Sequence, residues 1–130
     1  MKLTDYINGV QHIGIPTNCF DDTMKFYTDL GFEVENLTKV EAKNQRVVFL
    51  RSGNLQLEVY EEDPIAGKAG AINHIALDCL NVKDAYEAAK NAGYKIVSEE
   101  IESLPFWENG ISFFIIEGLN AERIEFCQRF

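Results

Sequence analysis

The stretches Gln11-His12-Ile13-Gly14-Ile15-Pro16 and Asn73-His74-Ile75-Ala76-Leu77-Asp78 hold both histidines of this 130-residue chain, each inside a short apolar, strand-like run. Sliding the sequence against itself in the frame that pairs His12 with His74 also pairs Ile13 with Ile75, Ile15 with Leu77, Asp22 with Asp84 and Gly31 with Gly93. Identities are few, but the order of structural signals recurs without a gap. Each half begins with an alternating strand (about 9–16 and about 71–78), followed by a polar turn and a helical segment. In the first helix Met24, Tyr27 and Leu30 recur at helical spacing, and in the second Val82, Ala85, Tyr86 and Ala89 do. Gly31 and Gly93 stop them, as residues able to take positive φ do at helix C-termini. Asp21 and Asp84 stand near the helix starts, where a short carboxylate suits free N–H groups and the dipole.

Three more strands are predicted in each half, about 32–38, 45–51 and 54–60, then about 94–98, 111–117 and 122–128. RSGN (51–54) and EGLN (117–120) read as hairpin turns. The expected fold is therefore α+β: two βαβββ modules, about 7–60 and 71–128, in one domain over 1–130. Residues 61–70, with Pro64, Gly67 and Gly70, read as the connector.

Strand alternation sorts the faces. Ile13 and Ile15 share one side and His12 the other; Ile75 and Leu77 oppose His74 in the same way. On LQLEVY, Gln56, Glu58 and Tyr60 oppose Leu57 and Val59, and on RIEFC, Arg123, Glu125 and Cys127 oppose Ile124 and Phe126. If the apolar faces pack beneath the helices, both histidines and both glutamates look outward from the open face. A lone histidine in such a strand is more often structural. Two histidines and two glutamates in corresponding positions of a repeat point instead to a metal site of His12, Glu58, His74 and Glu125. Two imidazoles and two carboxylates suit Ni²⁺, Co²⁺ or Zn²⁺, with Fe²⁺ or Mn²⁺ also compatible, and suit Ca²⁺ or Mg²⁺ less.

Composition narrows the partners. The net charge is −9, and only 12 Lys and Arg are scattered along the chain, which argues against nucleic acid and anionic membranes. No run approaches a membrane span, and MKLTDYINGV lacks the apolar run of a signal peptide. Cys19, Cys79 and Cys127 form no C-x-x-C pair, so neither a disulfide framework nor a structural zinc site is read from them, and a cytoplasmic location is the expectation. Cys127 shares the face of Glu125 but reads as a plain small side chain.

VQHIGIPTNCFDDTMKFYTDLGFEV, INHIALD and ERIEF together resemble the motifs of the vicinal oxygen chelate superfamily, which includes glyoxalase I, methylmalonyl-CoA epimerase, extradiol dioxygenases and bleomycin or fosfomycin resistance proteins. The resemblance covers nearly the whole chain. It implies paired βαβββ modules forming an open half-barrel sheet around a divalent metal, with helices on the outer face, in a homodimer. A His, Glu, His, Glu set is similar to bacterial-type glyoxalase I, whereas the epimerase usually has Gln at the second position. The implied activity is a metal-dependent lyase or isomerase resembling lactoylglutathione lyase, which stabilises an enediolate of a small-molecule substrate such as a 2-oxoaldehyde–thiol hemithioacetal. Glu125 is then the first-choice base and Glu58 its partner. The alternatives are an epimerase of a CoA thioester or sugar, and a non-catalytic binding protein. HIGIP departs from the glyoxalase I pattern, since no arginine follows the histidine to meet glutathione carboxylates. Phe106, Trp107 and Asn109, in the loop 104–110, either wall the cavity or pack on the core. Arg123, Arg46 and Lys43 are candidate rim cations for an anionic substrate group.

Overall fold

The computed structural model describes residues 2–7, 9–70 and 72–130. It divides into two compact units, Met1–Ile65 and Ala66–Phe130, with the boundary inside the expected connector. Ala71, the expected first residue of the second module, lies outside the described residues.

In the first unit β1 (Ile13–Thr17), α1 (Phe20–Asp29), β2 (Glu33–Val40), β3 (Gln45–Ser52) and β4 (Leu55–Glu61) form a βαβββ run. The sheet order is β1-β4-β3-β2, with β1 parallel to β4 and the other pairs antiparallel. This mixed order follows from the chain path. A tight hairpin joins β3 to β4, while the α1 crossover separates β1 from the rest and lets it pair in parallel. Ile15, Phe20, Tyr27, Phe32, Val48, Leu50, Leu57 and Val59 are buried. Tyr27 meets Phe32 edge to face at 5.4 Å, closing the space where the chain leaves α1 through Gly31, whose φ is +97°.

The second unit repeats the plan with β5 (His74–Asp78), α2 (Val82–Ala92), β6 (Lys95–Ile96), β7 (Glu102–Leu104), β8 (Ile111–Glu117) and β9 (Arg123–Arg129). Its order is β5-β9-β8-β6, again with the first strand parallel to the last, and β7 also pairs with β8. Phe114 is fully buried, stacked on Phe126 at 5.1 Å and met edge-on by Tyr86 of α2 at 5.4 Å. The α+β class, with two mixed sheets and a helix on each, agrees with the sequence expectation.

Several local expectations need correction. The first strand begins at Ile13, so His12 stands just ahead of it rather than within it. The expected strand 94–98 shortens to Lys95–Ile96, and β7, which the sequence reading did not anticipate, lies downstream. Asn81, not Asp84, caps α2: its side chain accepts from the Asp84 N–H at 3.1 Å, leaving Asp84 in the first turn. The α1 cap, Cys19, makes no side-chain cap bond. There the Thr17 hydroxyl accepts from the Cys19 N–H at 3.0 Å and meets the Thr23 hydroxyl at 2.9 Å.

Candidate metal centre

Register places the site residues of each unit. In the first sheet Gly14 lies opposite Glu58, and Glu58 opposite Phe49. Residues directly opposite share a face, so Glu58 and Phe49 look away from the side where Val48, Leu50, Leu57 and Val59 meet α1. The ring of His12 sits on the same side, edge to face with Phe49 at 5.6 Å. Gly14 fits between them: a Cβ there would stand 3.4 Å from the Tyr60 ring and 3.8 Å from Glu58 Oε1. In the second sheet His74 is opposite Arg123 and Ala76 opposite Glu125, so a small residue again faces the glutamate.

Both units reach the same geometry. His12 Nε2 is 3.8 Å from Glu58 Oε1, and His74 Nε2 is 3.7 Å from Glu125 Oε1. Both gaps exceed hydrogen-bond length. In each case the other ring nitrogen is engaged by the preceding residue: His12 Nδ1 donates to Gln11 Oε1, and His74 Nδ1 donates to Asn73 Oδ1 at 3.0 Å. With the proton on Nδ1, Nε2 turns a lone pair toward a carboxylate oxygen. Two acceptors facing each other repel in the absence of a cation and suit one between them. Two ligands each about 2.1 Å from a common ion lie about 3.0–3.4 Å apart for angles near 90–110°, so each pair would have to close by a few tenths of an ångström. The donor set fits a borderline divalent ion, and the Nδ1 bonds are the orienting contacts such ligands need.

Within each unit the predicted residues thus come together as a pair. No group of three or more His, Cys, Asp or Glu able to hold a metal forms among the described residues.

The expected rim cations divide differently. Arg46 is on the helix-facing side of β3, two residues from buried Val48. Its guanidinium bonds Asp21 at 2.9 Å and Glu61 at 3.2 Å and stacks over Phe20 at 4.5 Å. It is therefore a structural clamp and not a rim cation, and it holds the Glu61 carboxyl below the usual carboxylate range by hydrogen bonding. Lys43 is exposed in the turn joining β2 to β3. Arg123 keeps the face of Glu125, and its nearest carboxylate is Glu117 at 3.9 Å. Glu117 is bonded by Lys95, which with Arg123 holds its carboxyl low. Phe106 and Trp107 are more than half exposed and not packed on the core; Arg129 stacks over the Trp107 ring at 4.4 Å. Burial pushes the Cys79 and Cys127 thiols up, with Glu125 the second cause at Cys127, so neither is set up as a thiolate.

The sequence reading missed Glu35, Asn36 and Gln11, which with Phe49 and Gln56 line a cavity of about 510 Å³ on the first sheet. Between the pairs Val34–Leu50 and Asn36–Phe49 the register slips, leaving Glu35 as the extra residue of a β-bulge. Its carboxylate thereby reaches Arg51 and Gln56.

Two mixed sheets, each pairing its first strand in parallel with its last and setting a histidine against a glutamate, define a paired βαβββ class. The chain belongs to the Glyoxalase/Bleomycin resistance protein/Dioxygenase superfamily, whose model matches residues 11–113. It is 42% identical to the uncharacterized protein YwbC of Bacillus subtilis, over 92% of this chain and 97% of that protein. It is 27% identical to the mitochondrial methylmalonyl-CoA epimerase of Homo sapiens, over 72% of this chain but 58% of the epimerase. The glyoxalase family protein of Enterococcus faecalis shares the fold with a TM-score of 0.78 at 19% identity, covering 94% of this chain and 98% of that one. So does the fosfomycin resistance protein FosX of Listeria monocytogenes, solved with Mn(II) and sulfate, with a TM-score of 0.73 at 16% identity, covering 95% and 94%.

Proposed function

We propose that this chain is a divalent-metal-dependent lyase or isomerase resembling lactoylglutathione lyase, acting on a small molecule with two neighbouring oxygens, such as a 2-oxoaldehyde–thiol hemithioacetal. The reading rests above all on the matched pairs, Nε2 to Oε1 at 3.8 Å in one unit and 3.7 Å in the other. His12, Glu58, His74 and Glu125 are the proposed ligands, with Ni²⁺, Co²⁺ or Zn²⁺ first and Fe²⁺ or Mn²⁺ next. When bound, the ion would supply charge neutralisation for the enediolate left as a proton leaves the hydroxyl-bearing carbon next to the carbonyl. Glu125, whose side chain is 14% exposed against 28% for Glu58, takes that proton, and Glu58 is its partner in returning it. Arg123, which shares the face of Glu125, would meet an anionic substrate group. A cytoplasmic homodimer completes the reading, and sedimentation at micromolar concentration tests the dimer.

A second reading, an epimerase of a CoA thioester, is favoured by the relationship to the human enzyme. It needs the same proton removal. Metal analysis of the purified protein, with parallel assays of methylglyoxal hemithioacetals and of deuterium exchange at the α-carbon of methylmalonyl-CoA, separates the two. Turnover of the hemithioacetal with one thiol supports the first reading; exchange alone supports the second. Absence of bound or bindable metal overturns both and leaves a non-catalytic binding protein.

A further inference from the structure

A chain of hydrogen bonds runs from His12 to Arg51 along the open face of the first sheet. His12 Nδ1 donates to Gln11 Oε1, Gln11 Nε2 to Gln56 Oε1 at 3.3 Å, and Gln56 Nε2 to Glu35 Oε2 at 2.5 Å. Arg51 Nε donates to Glu35 Oε1 at 2.5 Å.

The direction of this chain is dictated from its far end. A carboxylate facing a guanidinium only accepts, so Gln56 must offer it the NH₂ group and turn its carbonyl toward Gln11. Gln11 must then give its own NH₂ to Gln56, which leaves its carbonyl for the histidine. An acceptor at that point requires the imidazole proton to be on Nδ1. An isolated carboxamide could turn over and offer a donor instead; a carboxamide tied to a carboxylate through a second one cannot do so without breaking a bond of the chain.

We propose that Glu35 is a positioning residue: acting through Gln56 and Gln11, it holds His12 in the Nδ1–H tautomer with the Nε2 lone pair aimed at Glu58. The bulge is what allows this. Strict alternation from Val34, opposite buried Leu50, would give the next side chain one course along the open face; the register slip gives that face two, Glu35 and Asn36. The arrangement belongs to the first unit. On β9 the residue two before the glutamate is Arg123 rather than a glutamine, and it reaches Glu117. Among the described residues, His74 Nδ1 meets Asn73 alone. The tautomer follows from this geometry by itself, whereas its value as a ligand device rests on the metal reading above.

Nitrogen-15 NMR of the metal-free full-length protein, at a pH where both imidazoles are neutral, reads the tautomers directly. In the wild type His12 should be Nδ1–H. Glu35→Ala should move His12 toward a mixture containing Nε2–H while His74 keeps its signals. Arg51→Met, which retains the carboxylate acceptor, should leave the His12 tautomer in place, an outcome that general disruption of the sheet would not give. Calorimetric titration with Ni²⁺ should show affinity about 10- to 100-fold weaker in Glu35→Ala. A wild-type His12 protonated on Nε2 overturns the proposal without any variant, as does an unchanged tautomer in folded Glu35→Ala. If the wild type binds no Ni²⁺, Co²⁺ or Zn²⁺ but the tautomer responds as stated, the metal reading fails and the positioning role stands.

Discussion

His12 Nε2 and Glu58 Oε1 face one another across 3.8 Å, with the imidazole proton drawn to the opposite side of the ring by Gln11. The pair presents two lone pairs to one gap. His74 and Glu125 do the same at 3.7 Å.

Such gaps should make the folded state more stable when a cation fills them. Adding Ni²⁺, Co²⁺ or Zn²⁺ in hundredfold excess over its dissociation constant should stabilise the protein by about 2.7 kcal/mol, seen as a rise in melting temperature that a chelator reverses. His12→Ala and His74→Ala should each lose most of that rise. A metal-induced shift that survives both substitutions would place the ion elsewhere.

Glu125→Gln keeps the size of the side chain but removes the proposed base. Turnover should fall about 10²- to 10⁴-fold with the substrate still bound, measured by initial rates and equilibrium binding on the same preparation. Full activity in this variant would remove Glu125 from the proton-transfer role.

The Arg46 clamp predicts a pH effect of definite sign. Glu61 has its folded-state carboxyl lowered by Arg46, so its contribution is present above the ordinary, unfolded carboxylate value and is lost as the pH falls through the folded value. Arg46→Met should therefore reduce stability near neutrality and flatten its decline between about pH 5 and 3. Chemical denaturation across that range measures it; a parallel profile would refute the linkage.

Phe114 is fully buried between Phe126 and Tyr86. Phe114→Ala should cost about 3–5 kcal/mol by leaving a cavity that two rigid rings cannot refill. Hydrogen exchange should show the loss first in the amides of β8 and β9. A loss below 1 kcal/mol would mean the sheet collapses around the gap.

The burial that raises both thiols predicts slow alkylation. Cys79 and Cys127 should react with iodoacetamide more slowly than an unfolded-chain thiol at pH 8, and denaturation should remove the difference. Mass spectrometry of peptides after timed quenching resolves the two. Reaction at the unfolded rate would show the thiols to be more accessible than their packing allows.

What the sequence by itself determined is the repeated order of elements and the face on which each histidine and glutamate lies. Periodicity of two in strands and near 3.6 in helices, with glycines where the helices stop, is a local property that needs no partner to be read. β8 matches its predicted span of 111–117 for that reason, and α2 stops at Gly93 as its spacing implied. Only the tertiary structure decided Glu35, Arg46 and β7. A one-residue slip between neighbouring strands is a relation between two segments distant in sequence, and it turned Glu35 toward Gln56 while nothing in GFEVENL announces it. Arg46 looked available for an anion until register set it beside Asp21 and Glu61 on the helix side. Three residues, Glu102–Leu104, are too few for alternation to register, and they form a strand because β8 offers its edge. Local preference selects the elements; pairing decides which groups they bring within hydrogen-bond reach.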